Sequence, residues 1–123
     1  MKKLMIWESE LKIMEILWAL GDTTAKELAI KLKDSTGWSK TTTYTVIKKC
    51  VDKGLIERLG TNFTCRALLT QKEARIREID ILKDKMFAGS SSLLLTSLLE
   101  ASNMKAEHID QLKTMIAEFS KEQ

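Results

Sequence analysis

The stretch Trp38-Ser39-Lys40-Thr41-Thr42-Thr43-Tyr44-Thr45-Val46-Ile47-Lys48-Lys49-Cys50-Val51-Asp52-Lys53-Gly54 decides how the rest of this chain is read. Ser39 is a favoured N-cap residue and Gly54 a favoured stop, so the spacing predicts a helix over 40–53. Its apolar side chains, Val46, Ile47, Cys50 and Val51, share one face. Thr41, Tyr44, Thr45 and Lys48 follow the i, i+3, i+4, i+7 rule on the opposite face, with Lys40 and Lys49 flanking them. Hydroxyls, a phenol and ammonium groups make a poor catalytic pocket. They suit a major groove, where Thr and Tyr reach phosphates or thymine methyls and Lys reaches phosphate or guanine. Ser39 and the amide groups beside it, at a helix N-terminus, can hold a phosphate. A Thr-rich solvated face with no partner is the plainer alternative. Trp38 is expected to pack on Thr42 or Thr43 as a hydrophobic staple, with phosphate contact through its indole N–H as the alternative.

Upstream, Leu11, Ile13, Met14, Ile16, Leu17, Trp18 and Leu20 recur at helical spacing and predict a first helix over 9–20, ended by Gly21. A second helix follows, capped by Thr23 or Thr24 with Glu27 placed for a capping box and with Ala25, Leu28, Ala29 and Leu32 as its stripe. It is expected to end near Asp34, with a turn over 35–38. Downstream of Gly54 the period changes: 55–59 and 63–68, around Gly60-Thr61-Asn62, read as a β-hairpin. Three helices and a hairpin, in that order, are a winged helix-turn-helix domain. The expected fold is mainly α with a small β-hairpin wing: a winged helix over 1–70, then a three-helix dimerisation region over 71–123.

That second region has Thr70 capping a helix over 71–88, a break at Gly89-Ser90-Ser91-Ser92, a short apolar helix over 93–101, and a last helix over 105–119. Ile109, Leu112, Ile116 and Phe119 in the last helix follow a coiled-coil-like 3-4-3 spacing. Some 53 residues in three helices cannot cover this much apolar surface alone, and isolated helices are marginal in water. A symmetric homodimer is favoured over folding back on the first domain. Its expected contacts are Ile76, Ile79, Met86, Leu94, Leu95, Leu98, Leu99, Ile109, Leu112, Ile116 and Phe119.

With 44% apolar and 30% charged residues the 123-residue chain is globular rather than disordered. The 20 Lys and Arg exceed the 17 Asp and Glu, a formal charge of +3, and the excess is local. Residues 1–70 carry 12 basic and 8 acidic side chains, with Lys40, Lys48, Lys49 and Lys53 close together, which points the first half at a polyanion. Apolar runs such as Leu4 to Trp7 are too short to span a membrane. Lys2 and Lys3 are followed by Glu8 and Glu10 and by no small-residue cleavage site, so no signal peptide is expected. Cys50 and Cys65 form no Cys-x-x-Cys pair and His108 is the only histidine, so neither a metal site nor a cofactor is expected. These features predict a soluble cytoplasmic protein that is not an enzyme.

Glu10-Leu-Lys-Ile-Met-Glu-Ile-Leu-Trp18, Thr24-Ala-Lys-Glu-Leu28, Trp38-Ser-Lys-Thr-Thr-Thr-Tyr-Thr-Val46 and Lys53-Gly-Leu-Ile56, in this order and spacing, resemble the BlaI/MecI penicillinase-repressor family. The resemblance covers nearly the whole chain. It implies a dimeric winged-helix repressor on a dyad-symmetric operator, with antibiotic resistance as one setting for such proteins. By position it puts Lys40, Thr41, Thr42, Tyr44 and Thr45 at the DNA, Ser39 near a phosphate, and Arg58 and Arg66 beside the wing. In the β-lactam branch, a sensor-linked protease cuts within the dimerisation region and the dimer falls apart. Where that branch has its scissile Asn-Phe pair, this chain has Ser97-Leu98. The wing, Leu59-Gly-Thr-Asn-Phe63, also lacks the basic residue often found there. No cysteine follows Cys65, which sets aside the copper-responsive branch. The rival readings are a ligand-sensing winged-helix regulator, a protein-interaction adaptor that never touches DNA, and, more remotely, a Cys-based enzyme or redox sensor.

Overall fold

Helices of the first half start where a hydroxyl can accept a first-turn amide, as at Thr24 and Ser39, or, at Trp7, without such a cap, and each ends at or just before a glycine of positive φ: Gly21, Gly37 or Gly54. The computed structural model describes residues 5–121; Lys2, Lys3 and Leu4 lie outside them. The element order is α1 (Glu8–Leu20), β1 (Thr23–Thr24), α2 (Ala25–Thr36), α3 (Lys40–Asp52), β2 (Ile56–Leu59), β3 (Thr64–Ala67), α4 (Gln71–Met86), α5 (Ser91–Ser102) and α6 (Ala106–Lys121). Thr24 caps α2, its hydroxyl accepting the Glu27 N–H at 3.2 Å. Gly37, at φ 78°, closes α2 in the left-handed conformation that a side chain would disfavour, and Ser39 opens α3 two residues later. That short connection is the turn of the helix-turn-helix.

The strands form one antiparallel sheet in the order β1-β3-β2, with Thr23 opposite Cys65 and Arg58 opposite Cys65 on the other side. The hairpin matches expectation, but β1 has only two residues, too few for any period to show in the sequence. The first strand begins at Ile56, one residue after the expected start, while Leu68 lies beyond β3 and Phe63 belongs to the turn before it. Its φ of 47° is incompatible with a strand.

The described residues fall into two compact units, divided between Ile81 and Leu82. In the first, α1, α2 and α3 bury their stripes together: Ile13, Met14 and Leu17 meet Ala25, Leu28, Leu32, Val46, Ile47 and Cys50, closed below by Leu55, Ile56 and Cys65. Trp18 lies at the edge of this core and donates its indole N–H to the Leu69 carbonyl at 2.8 Å, which holds the segment leaving β3. Trp38, half-buried, packs on the same core. The buried carboxylate of Glu10 meets the Lys53 ammonium at 2.7 Å and also accepts the Trp7 N–H at 2.8 Å. This pair joins the start of α1 to the end of α3. Burial pushes the thiols of Cys50 and Cys65 up to about 12 and about 11, which leaves both poor nucleophiles at neutral pH.

Thr70 and Glu73 form a full capping box at α4: the Thr70 hydroxyl accepts the Glu73 N–H at 3.1 Å and the Glu73 carboxylate accepts the Thr70 N–H at 3.3 Å. The helix stops at Met86, short of the expected 88, because Ala88 (φ 50°) and Gly89 (φ 74°) are both left-handed. In the second unit Ser90 caps α5 by accepting the Leu93 N–H at 3.1 Å, so the helix takes in two serines read as loop. Neither α5 nor α6 has a buried residue. No helix among the described residues is long and apolar enough to cross a membrane.

Candidate nucleic-acid interface

The inner face of α3 (Thr43, Val46, Ile47 and Cys50) is buried, which forces the residues between outward. Lys40, Thr41, Tyr44, Thr45 and Lys48 line one shallow depression of about 520 Å³. These are the sequence-expected face residues, now on a single surface. Lys40 reaches over the Tyr44 ring, its Nζ 5.7 Å from the centroid. Lys49 borders a separate hollow, beside Trp7, Ser9 and Asp52.

Hydrogen bonding divides the hydroxyls by task. Ser39 is the N-cap: its Oγ accepts the Thr42 N–H at 3.1 Å and donates to Thr42 Oγ1 at 3.0 Å. The Ser39 hydroxyl is therefore committed to the helix. The amides of Lys40 and Thr41, in the first turn, have no acceptor within an α-helix and face its positive end. Thr45 donates its hydroxyl to the Thr41 carbonyl at 2.9 Å. What it offers outward is its methyl group and oxygen lone pairs, a surface suited to a thymine methyl. Thr43 is fully buried and its hydroxyl has no partner.

The wing's two arginines differ. Arg66 is tied to Asp22 in a bidentate pair, with Nη2 2.8 Å from Oδ2 and Nε 3.2 Å from each oxygen. The guanidinium, by direct hydrogen bonds, holds the Asp22 carboxyl below its usual range. Arg58 has no carboxylate partner among the described residues and stacks on Phe63, its Cζ 4.0 Å from the ring centroid. Lys53, counted with the basic cluster on sequence grounds, is turned inward to Glu10 and to the Met5 carbonyl, 3.0 Å away. The signal for that pairing is not local, since the partners are 43 residues apart.

Of the residues read as dimer contacts, Leu95, Leu99, Ile109, Leu112, Ile116 and Phe119 line one apolar groove between α5 and α6, about 460 Å³ in volume, with Met115 added. Ile116 and Phe119 are 53% and 63% exposed in the single chain. Leu94 is half-buried and Leu98 exposed on α5, while Ile76, Ile79 and Met86 lie exposed along α4. Ser97 and Leu98 sit inside α5, so a protease would have to unwind that helix to reach them. No group of three or more His, Cys, Asp or Glu side chains that could hold a metal occurs among the described residues.

The family model described as penicillinase repressor matches residues 6–118. Among relatives, an "uncharacterized 16.5 kDa protein in ptsI 3' region" of Latilactobacillus sakei is 26% identical over 113 residues, covering 90% of this chain and 77% of that protein. The methicillin resistance regulatory protein MecI of Staphylococcus aureus, and likewise that of Mammaliicoccus sciuri, is 21% identical over 113 residues, covering 90% of this chain and 92% of the relative. With the match running from the segment before α1 into α6, this chain belongs to the penicillinase repressor family, a family of DNA-binding transcriptional repressors.

Proposed function

We propose that this chain is a transcriptional repressor that binds a dyad-symmetric operator as a homodimer, one recognition helix α3 in each half-site. The observation that carries the reading is the outer face of α3, where Lys40, Thr41, Tyr44, Thr45 and Lys48 share one surface while the opposite face is core. Tyr44 and Thr45 read base edges. Lys40, Lys48 and Lys49 supply a salt-sensitive, sequence-independent attraction to phosphates, and the first-turn amides beside Ser39 and Thr42 hold one phosphate. Arg58 and, more weakly because Asp22 already neutralises it, Arg66 extend the contact along the backbone. The α5–α6 groove and the exposed apolar side chains of α4 bind a second copy. Release follows loss of that dimer, and the resistance regulation named for the MecI relatives favours an antibiotic or related stress signal; a sensor-linked protease acting near Ser97-Leu98 is the route that the family resemblance implies.

The test is binding of the full chain to its own upstream DNA and to scrambled DNA, by fluorescence anisotropy across a salt series. A preference of about a hundredfold or more near physiological salt is expected, saturating at two chains per site. Equal, weak and wholly salt-dependent binding to both DNAs would put the adaptor reading first. Within the same assay Tyr44→Ala should lower the operator-to-random ratio by about tenfold, whereas Lys48→Ala should weaken both DNAs alike and reduce the salt slope by about one unit. An unchanged ratio in Tyr44→Ala would remove that side chain from base reading.

A second reading, in which a small ligand controls the same DNA binding, has one feature in its favour. A cavity of about 570 Å³ lies between α1 and α4, lined by Ile6, Leu11, Trp18 and Ile79 with Glu15, Arg75 and Glu78 at its polar edge. A ligand that raised the melting temperature with no protease present would favour it.

A further inference from the structure

Phe63 holds a backbone conformation that costs a non-glycine residue energy, with φ at 47°, next to an Asn62 that would adopt it more cheaply. Its contacts account for what offsets that cost. The Phe63 carbonyl accepts the Ala25 N–H, at the start of α2, at 2.9 Å. Its ring meets Tyr44 of α3 edge to face, the centroids 5.9 Å apart and the planes at 84°. The Arg58 guanidinium of β2 lies over the same ring at 4.0 Å. One residue thus touches the first helix of the helix-turn-helix, the recognition helix and the wing.

We propose that Phe63 is the positioning residue for DNA recognition, holding the Tyr44 phenol and the Arg58 guanidinium in the orientation in which they meet duplex DNA. The proposal rests on the repressor reading above. A guanidinium stacked on a ring is held by its flat face, so its in-plane N–H donors stay free for a phosphate. An arginine already ordered loses less rotamer freedom on binding than a free one. The edge-to-face contact fixes the Tyr44 ring without using its hydroxyl. The loop 60–63 has no basic residue of its own and Arg66 is paired to Asp22, so Arg58 is the wing cation left for DNA. The aromatic pair therefore runs between two cations, Lys40 at the helix end and Arg58 at the wing end.

The experiment is a double-mutant cycle in the full chain, read as operator and random-DNA affinity across salt. Phe63→Leu keeps an apolar side chain and removes the ring. It should weaken operator binding by about tenfold, while Phe63→Tyr stays within about twofold of wild type. Arg58→Gln should cost about fivefold in the wild-type background and almost nothing in Phe63→Leu, because the arginine is no longer held. A purely structural Phe63 would lower the melting temperature without creating that coupling. Equal cost of Arg58→Gln in both backgrounds, or an operator affinity unchanged in Phe63→Leu, overturns the proposal. Should Phe63→Leu unfold at the assay temperature, the wild type still decides: Arg58 side-chain protons shifted upfield by the ring current support it, and unshifted protons overturn it. A wild type with no operator preference overturns the repressor reading itself, a different failure from a preference that ignores Phe63.

Discussion

A chain carrying Ile116→Asp and Phe119→Asp should be monomeric and should lose at least about a hundredfold in operator affinity while keeping its affinity for a single half-site. Both side chains are more than half exposed in the single chain and line the α5–α6 groove. The carboxylates replace half-exposed side chains of the groove rather than core ones, since neither α5 nor α6 has a buried residue. What it does remove is the reason for two copies to meet. Burying two carboxylates against an apolar face costs several kcal/mol unless each finds a partner. Once the copies separate, the second recognition helix no longer binds at the high effective concentration that tethering supplies, and avidity of about two to four orders of magnitude disappears. The salt slope should fall by about half, since each monomer neutralises half the phosphates. Sedimentation and anisotropy check this together, with helix content by circular dichroism as the control. A variant that still sediments as a dimer would move the interface away from this groove. A monomer that binds the operator undiminished would make one recognition helix and wing sufficient.

The parts of this fold and of its candidate interface that could be read from the sequence are those in which the signal is local and repeated. Helix α3 is the clearest case: buried and exposed residues alternate at helical spacing, Ser39 caps it, and the surface of Lys40, Thr41, Tyr44, Thr45 and Lys48 follows from that periodicity alone. The features that stayed hidden are non-local or too short. Strand β1 has two residues and exists only because β3 lies beside it. Phe63 has strand-forming chemistry, yet the turn places it left-handed, and only the tertiary contacts with Tyr44, Arg58 and Ala25 show why. Charge was the least readable quantity. Arg66 and Asp22 are 44 residues apart, and nothing near either one in sequence announces that the wing arginine is already neutralised.

Lys53 is the sharpest instance of that blindness, and it carries the second large effect: Lys53→Met should destabilise the first unit by about 3 kcal/mol while leaving the salt dependence of DNA binding unchanged. The Glu10 side chain is 2% exposed and that of Lys53 21% exposed, with 2.7 Å between ammonium and carboxylate. The same ammonium donates to the Met5 carbonyl at 3.0 Å and lies 5.6 Å from the Trp7 ring centroid. Methionine keeps the stem of the lysine and deletes its charge, so Glu10 is left as a buried carboxylate whose remaining partner is the Trp7 N–H. Removing one member of a buried pair is costly because the other stays charged and unpaired. Removing both is not, so Glu10→Leu combined with Lys53→Met should recover most of the loss. In a unit of this size the single substitution should lower the melting temperature by more than about 10 °C. The DNA readout separates the two roles available to this lysine. A phosphate contact would take about one unit from the salt slope with little change in melting, whereas the pair with Glu10 shifts melting and leaves the slope alone. Loss of slope at unchanged stability would return Lys53 to the DNA-binding surface, and the anchor between α1 and α3 would have to be sought elsewhere in the core.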